Sequence, residues 1–151
     1  MSSPNAPDPY VIRGYDVRAD SPGLSESERV DLRAFAEAFF SVDGTPPPRE
    51  RLDWFVDDVD DFVGHLTPRA RFMWKAVFGP VTRGSPLLVG HVGRLGELPL
   101  DRRIEALERF ERSPAGLAIF AVKAITSLVY YEHPDAAAEI GWDKQCKGRR
   151  P

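Results

Sequence analysis

Residues 113–142 read SPAGLAIFAVKAITSLVYYEHPDAAAEIGW, and this stretch decides the fold because it holds the longest run able to form a buried helix. Ser113 is placed to cap that helix. Pro114 falls at its first position, where a missing N–H costs nothing and a fixed φ is already helical. From Leu117 onward Ile119, Phe120, Ala121, Val122, Ala124, Ile125, Leu128, Val129 and Tyr131 take most of the circumference, leaving Lys123, Thr126, Ser127 and Tyr130 as a narrow polar stripe. Such a helix is expected to need neighbours on nearly every side. His133-Pro134 closes it, since proline disfavours α geometry in the residue before it. Beyond the break, Asp135 can cap a short turn through Ala136, Ala137 and Ala138, and Ile140-Gly141-Trp142 follows as an apolar peg.

A bilayer span competes for this segment, because about 20 mostly apolar residues are what a membrane requires. Lys123 at mid-span, costing about 2.5–3.5 kcal/mol on insertion, and the hydroxyls on the same stripe favour a core helix instead.

Upstream, the segment Pro99–Arg112 sets Leu100, Ile104, Leu107 and Phe110 on one face and Arg103, Glu105, Glu108 and Arg109 on the other, and so delivers a second helix into Ser113. Ser85-Pro86 opens a weak helix over residues 87–95, interrupted by Gly90 and Gly93; with no preceding strand and no GxGxxG, these glycines are not a nucleotide fingerprint. Thr67-Pro68 opens a helix through Phe72, Met73, Trp74, Val77 and Phe78 that Gly79-Pro80 is expected to end. From Arg49 to Leu66 the residues Leu52, Phe55, Val56, Val59, Phe62, Val63 and Leu66 recur at spacings of three and four. The opposite face carries Glu50, Asp53, Asp57, Asp58, Asp60 and Asp61 without the glycine and closing glutamate of a calcium loop, and reads as a solvated acidic face. Ser25 and Glu28 form a capping box that launches a helix to about Val42, after which Asp43-Gly44 and Pro46-Pro47-Pro48 break the chain.

These segments give five substantial helices and one weak one, and none shows the period-two alternation of a strand. The expected fold class is all-α: a compact bundle of five to six helices around a long buried C-terminal helix, with an extended N-terminal arm. The expected organisation is an arm over residues 1–23, a helical domain over 24–146 and a basic tail over 147–151. The arm holds Pro4, Pro7, Pro9 and Pro22, yet Tyr10, Val11, Ile12 and Tyr15 would be idle there unless they lie on the domain or on another chain.

With 151 residues, 42% of them hydrophobic, and a net charge of -3, the chain suffices for one core and lacks the basic field that nucleic acid requires. The single cysteine, Cys146, has no second thiol for a disulfide or a metal site. Residues 1–9 are polar and proline-rich rather than signal-like, so a cytoplasmic location is the expectation. His65, His91 and His133 stand singly, outside any spacing that would put two ligands on one helical face, and no GxSxG or cysteine-based signature accompanies them. No catalytic, cofactor-binding or metal-binding constellation is expected in this chain.

The C-terminal pattern Ser127-Leu-Val-Tyr-Tyr131, then Glu132-His-Pro134, then Ile140-Gly-Trp142 with Cys146 downstream, resembles the small helical subunit of flavin-dependent dehydrogenases of the gluconate 2-dehydrogenase subunit 3 type. It is similar also to the helical region attached to long-chain alcohol oxidases. The resemblance covers residues 99–146. It implies a non-catalytic subunit that binds and stabilises a larger glucose-methanol-choline type flavoprotein, which holds the FAD and oxidises alcohol, sugar or sterol-like CH–OH groups. It also implies that Tyr130, Tyr131, His133, Pro134, Ile140, Gly141 and Trp142 shape the contact with that partner, joined by Tyr10, Val11, Ile12 and Tyr15 if the arm docks there. Residue by residue, the alternative is a helix end packed on its own domain. A different class of function, a stand-alone ligand binder or enzyme, would use a pocket between the central helix and Trp54, Trp74 or Trp142. A self-associating structural domain is the third.

Overall fold

A computed structural model describes residues 18–142, so Tyr10, Val11, Ile12, Tyr15, Cys146 and the basic tail lie outside the described residues. The fold is an all-α bundle with six α-helices among the described residues, α1 (Glu26–Phe39), α2 (Arg49–His65), α3 (Pro68–Gly84), α4 (Leu100–Glu111), α5 (Gly116–Tyr130) and α6 (Pro134–Glu139). Two 3-10 turns, Ser85–Val89 and Leu95–Glu97, bridge α3 to α4, and no strand is found among the described residues.

Several helix starts follow directly from local chemistry. Ser25 Oγ accepts the Glu28 N–H at 3.3 Å while Glu28 Oε2 accepts the Ser25 N–H at 2.7 Å, which closes the capping box of α1. Thr67 Oγ1 accepts the Ala70 N–H at 3.3 Å, and Pro68 takes the first turn of α3. At α5 the expectation fails by two residues, the cap being Ala115 rather than Ser113. The Ser113 hydroxyl donates to the Phe110 carbonyl at 2.6 Å and accepts the Ala115 N–H at 3.2 Å, so residues 113–115 form a turn that finishes α4, and α5 begins only at Gly116.

Proline does not end α3, contrary to the expectation at Gly79-Pro80. The helix continues to Gly84 because Pro80 and Ala76, the residue whose carbonyl loses its donor, are both exposed to water. On the inner side Thr82 Oγ1 donates to the carbonyls of Phe78 at 3.2 Å and Gly79 at 3.3 Å. The expected weak helix over 87–95 is instead two separate 3-10 turns, the first stopped by Gly90 at φ +77°.

The helix with neighbours on most sides is α1, which packs against α2, α3, α4 and the Leu95–Glu97 turn. Leu32, Phe35 and Ala36 are fully enclosed, and of its residues only Glu26 and Val30 are exposed. The long apolar helix α5 packs on α2, α3 and α4 through Ile119, Val122, Thr126, Val129 and Tyr130, but it is not enclosed all round as expected. Leu117 is 80% exposed, Phe120 68% and Leu128 73%. The expected polar stripe is partly the buried side: Thr126 is fully enclosed and donates its hydroxyl to the Val122 carbonyl at 2.7 Å, which removes the cost of burying it.

The acidic face of α2 also differs from a merely solvated surface. Asp61 Oδ1 accepts the Ala19 N–H and Asp60 Oδ1 the Leu24 N–H, each at 2.7 Å, so the segment before α1 is fastened along α2. The fit there is close. A Cβ on Gly23 would lie 2.3–2.6 Å from backbone atoms of Gly64, Asp60 and Val63.

Candidate partner interface

The residues singled out at the C-terminal end of α5 fall into two groups, a buried anchor and an exposed rim. Tyr130 belongs to the anchor. Its ring stacks on Phe40 with centroids 3.8 Å apart, meets Phe55 edge-on at 5.9 Å, and its hydroxyl accepts a hydrogen bond from Arg51 Nη1 at 3.1 Å. Arg51, on α2, is itself buried and forks onto the Glu139 carboxylate of α6, with Nη1 to Oε2 at 2.9 Å and Nη2 to Oε1 at 2.8 Å. The hydrogen bonds to Glu139 hold the Arg51 guanidinium above its ordinary pKa, against the pull of burial. The same bonds from Arg51 hold the Glu139 carboxyl below its ordinary value.

Tyr131 is half-buried, its ring edge-on to Phe40 at 6.3 Å and to Tyr130 at 5.3 Å. His133, rather than Asp135, caps α6: its Nδ1 accepts the Asp135 N–H at 3.3 Å, and its ring meets Trp54 edge-on at 4.9 Å. Pro134 fills the first turn of α6, where the helix-breaking residue of α5 becomes the helix-starting residue of the next element. Tyr130, Tyr131 and His133 therefore pack on their own domain, whereas Pro134 is exposed.

The rim is different. Gly141 adopts φ +74°, its N–H bonds the Ala138 carbonyl at 3.0 Å and the Trp142 N–H bonds the Ala137 carbonyl at 2.9 Å, which is the glycine-dependent Schellman close of a helix. That turn leaves Ile140 58% and Trp142 50% exposed. Across from Ile140 stands Val42, likewise exposed, held in a tight turn by reciprocal 2.9 Å hydrogen bonds with Thr45, with Asp43 at φ +50° and Gly44 at φ +75°.

Between these rims lies a cleft of about 400 Å³ floored by Phe39, Phe40, Tyr130 and Tyr131, with Ser41, Ser127 and Glu139 at its edges. A second cleft of about 320 Å³ shares Phe39 and Ser41 with it and continues past Lys123 to Ile104 and Glu111 of α4. Lys123 Nζ sits 5.1 Å from the Phe39 ring centre and 2.6 Å from Glu111, bridging the groove wall. None of Trp54, Trp74 and Trp142 lines either cleft. Among the described residues no group of three His, Cys, Asp or Glu side chains is placed to hold a metal.

Two participants carried no signal in the sequence. Arg51 sits 88 positions from Glu139 and 79 from Tyr130, so neither partner is within reach of periodicity arguments. Phe40, the residue that closes α1, falls within the apolar run of the first helix with nothing local to mark it as the floor on which both tyrosines pack.

No family model matches the chain, and neither a curated protein nor a solved structure does.

Proposed function

We propose that this chain is a non-catalytic small subunit that binds and stabilises a larger FAD-dependent dehydrogenase or oxidase acting on alcohol, sugar or sterol-like CH–OH groups, in a cytoplasmic complex. One observation carries the reading: Tyr130, Tyr131 and Ile140 of the motif on which the resemblance rests line an aromatic-floored groove with Phe39, Phe40 and Val42, and two of its lining residues, Val42 and Ile140, are exposed apolar side chains, the first held by its turn with Thr45 and the second next to the anchored Glu139. Exposed apolar groups on a rigid frame suit a protein contact, because little ordering entropy is lost when they dock. Arg51, Glu139 and Tyr130 would act as positioning residues, fixing α6 so that Ile140 and Trp142 reach the partner. The FAD and the oxidation belong to the larger chain.

The direct test is to produce a candidate flavoprotein partner with and without this chain. The reading requires that soluble yield and activity rise with co-expression and that a yellow complex containing both polypeptides purifies. Equal yield and activity in both cases would sink it. Replacing Val42 and Ile140 by aspartate should leave the bundle folded and abolish the complex.

A ligand-binding role is the second reading, favoured by the 400 Å³ cleft, a volume within the range of small-molecule sites. It requires that the isolated chain melt at a higher temperature with its ligand, by about 2.7 kcal/mol at a hundred times Kd.

A further inference from the structure

The outer surface of α3 and α5 is a separate feature from the groove. The two helices pack side by side, and neither contains an aspartate or a glutamate. On α5 the exposed residues are Leu117, Phe120, Ala124 and Leu128, a stripe at helical spacing with no polar member. On α3 the exposed face carries Phe72, 72% exposed, and Met73, 60% exposed, with Arg69 near its start and Arg83 near its end.

Those two arginines stand apart from the other cations. Among the described residues every other lysine or arginine has a carboxylate, carbonyl or hydroxyl partner, whereas Arg69 and Arg83 have none. They are fourteen positions apart, close to four turns of helix, and therefore lie on one side of α3. In a chain of net charge -3, this face of exposed large apolar groups is thus bordered by the two positive charges that are uncommitted among the described residues.

We infer that the α3/α5 face docks on the surface of an anionic lipid bilayer. The charge pattern selects this occupant. A second copy related by a two-fold axis would bring the unpaired arginines of α3 toward those of its partner, a like-charge arrangement that costs binding energy. Isolated large side chains standing out from two convex helices enter a deformable headgroup layer more readily than a preformed protein surface. Arg69 and Arg83 would meet lipid phosphates, and Phe72, Met73, Leu117, Phe120 and Leu128 would enter the acyl boundary. No single helix among the described residues is long and apolar enough to cross a bilayer: the 15 residues of α5 reach only about 22 Å, and α4 meets it at a bend of 119°.

The test is co-flotation of the full chain with vesicles of phosphatidylcholine alone and of phosphatidylcholine mixed with phosphatidylglycerol. Binding is expected to the mixed vesicles, weaker in high salt, and to fall by on the order of tenfold or more in Arg69→Glu/Arg83→Glu and again in Leu117→Gln/Leu128→Gln. Circular dichroism and melting should be unchanged in both, because all four side chains are exposed. Vesicle binding that neither variant alters, as the basic tail alone would give, overturns the inference. So does the absence of vesicle binding. If in addition particle size grows with protein concentration and Leu117→Gln/Leu128→Gln prevents it, the face belongs to a second copy. Val42→Asp/Ile140→Asp, which tests the flavoprotein contact, should leave flotation as it is, so either proposal can fail without the other.

Discussion

Helices α1 and α5 are nearly the same length, 14 and 15 residues, and both are dense in phenylalanine, leucine and alanine, yet one is enclosed and the other lies open along a whole side. The difference is in their charges. On α1, Arg29 pairs with Asp57 and Asp60, Arg33 with Asp53, Asp31 with Arg94 and Glu37 with Arg103, so each flank is tied to α2, α4 or the loop before it. On α5 the single charge, Lys123, ties one flank to α4, and the outer face offers nothing that another element of this chain could recognise. Ion pairs of this kind add little net stability, but they fix which neighbour covers which side. Apolar content therefore marks which helix could be buried in this molecule, and the bordering charges mark which one is.

Core substitutions should expose the contrast most strongly. Phe35→Ala on α1 removes a fully enclosed ring and is expected to cost about 3–5 kcal/mol of unfolding free energy, whereas Phe120→Ala on α5 should cost less than about 0.5 kcal/mol. Urea denaturation of the two variants measures both. Comparable losses would mean that the outer side of α5 is covered after all.

A smaller effect tests the flank that fastens α2 to the segment before α1. Gly23→Ala forces a Cβ into the backbone of α2, where no flexible side chain can yield, and should cost about 1–3 kcal/mol. Hydrogen exchange at Ala19 and Leu24 should quicken in that variant, because their amides are bonded to Asp61 and Asp60.

At the anchor of α6 the two halves of one ion pair should respond unequally. Glu139→Ala strands the buried Arg51 without its carboxylate and should cost about 1–3 kcal/mol, the lower part of that range being favoured because Glu139 itself faces water. Arg51→Met removes the buried charge as well and should cost less. The pH dependence has a definite sign. With its folded pKa depressed by Arg51, Glu139 contributes stability that is fully present above the ordinary carboxylate value of 4.5 and is lost as pH falls through the folded value. Glu139→Gln should flatten that part of the stability profile, read as melting temperature between neutral and acidic pH.

The pattern of what the sequence disclosed follows the range of the interactions involved. Ser25 with Glu28, and Thr67 with Pro68, act over three or four residues, and the helices they start were legible from composition and spacing alone. Pro80 misled because the decisive fact is which side of α3 faces water, a tertiary property. Thr126 and Tyr130 misled in the same way: read as a polar stripe they pointed outward, yet one hydroxyl is satisfied by its own helix and the other by Arg51 from α2. Within the candidate interface, the glycine turn at Gly141 and the exposed Ile140 and Trp142 belong to local geometry, whereas the burial of Tyr130 depends on Phe40 and Arg51, which no local rule connects to it.

The smallest effect on folding is expected where the comparison is most sharply drawn. Leu117→Gln and Leu128→Gln change side chains that are largely exposed in the native helix and exposed again in the unfolded chain, so the transfer free energy nearly cancels, and glutamine keeps a helix propensity close to that of leucine. Each variant should hold its melting free energy within about 0.5 kcal/mol of the parent. Retention on a hydrophobic-interaction column should nevertheless fall clearly, since the column samples only the native exterior. Glutamine at Leu32 or Phe35 of α1, both fully enclosed, would unfold the protein before any retention could be compared. A loss of stability in Leu117→Gln with no change in retention would mean that leucine is turned inward in solution, and the open side of α5 would then have to be closed by the chain itself.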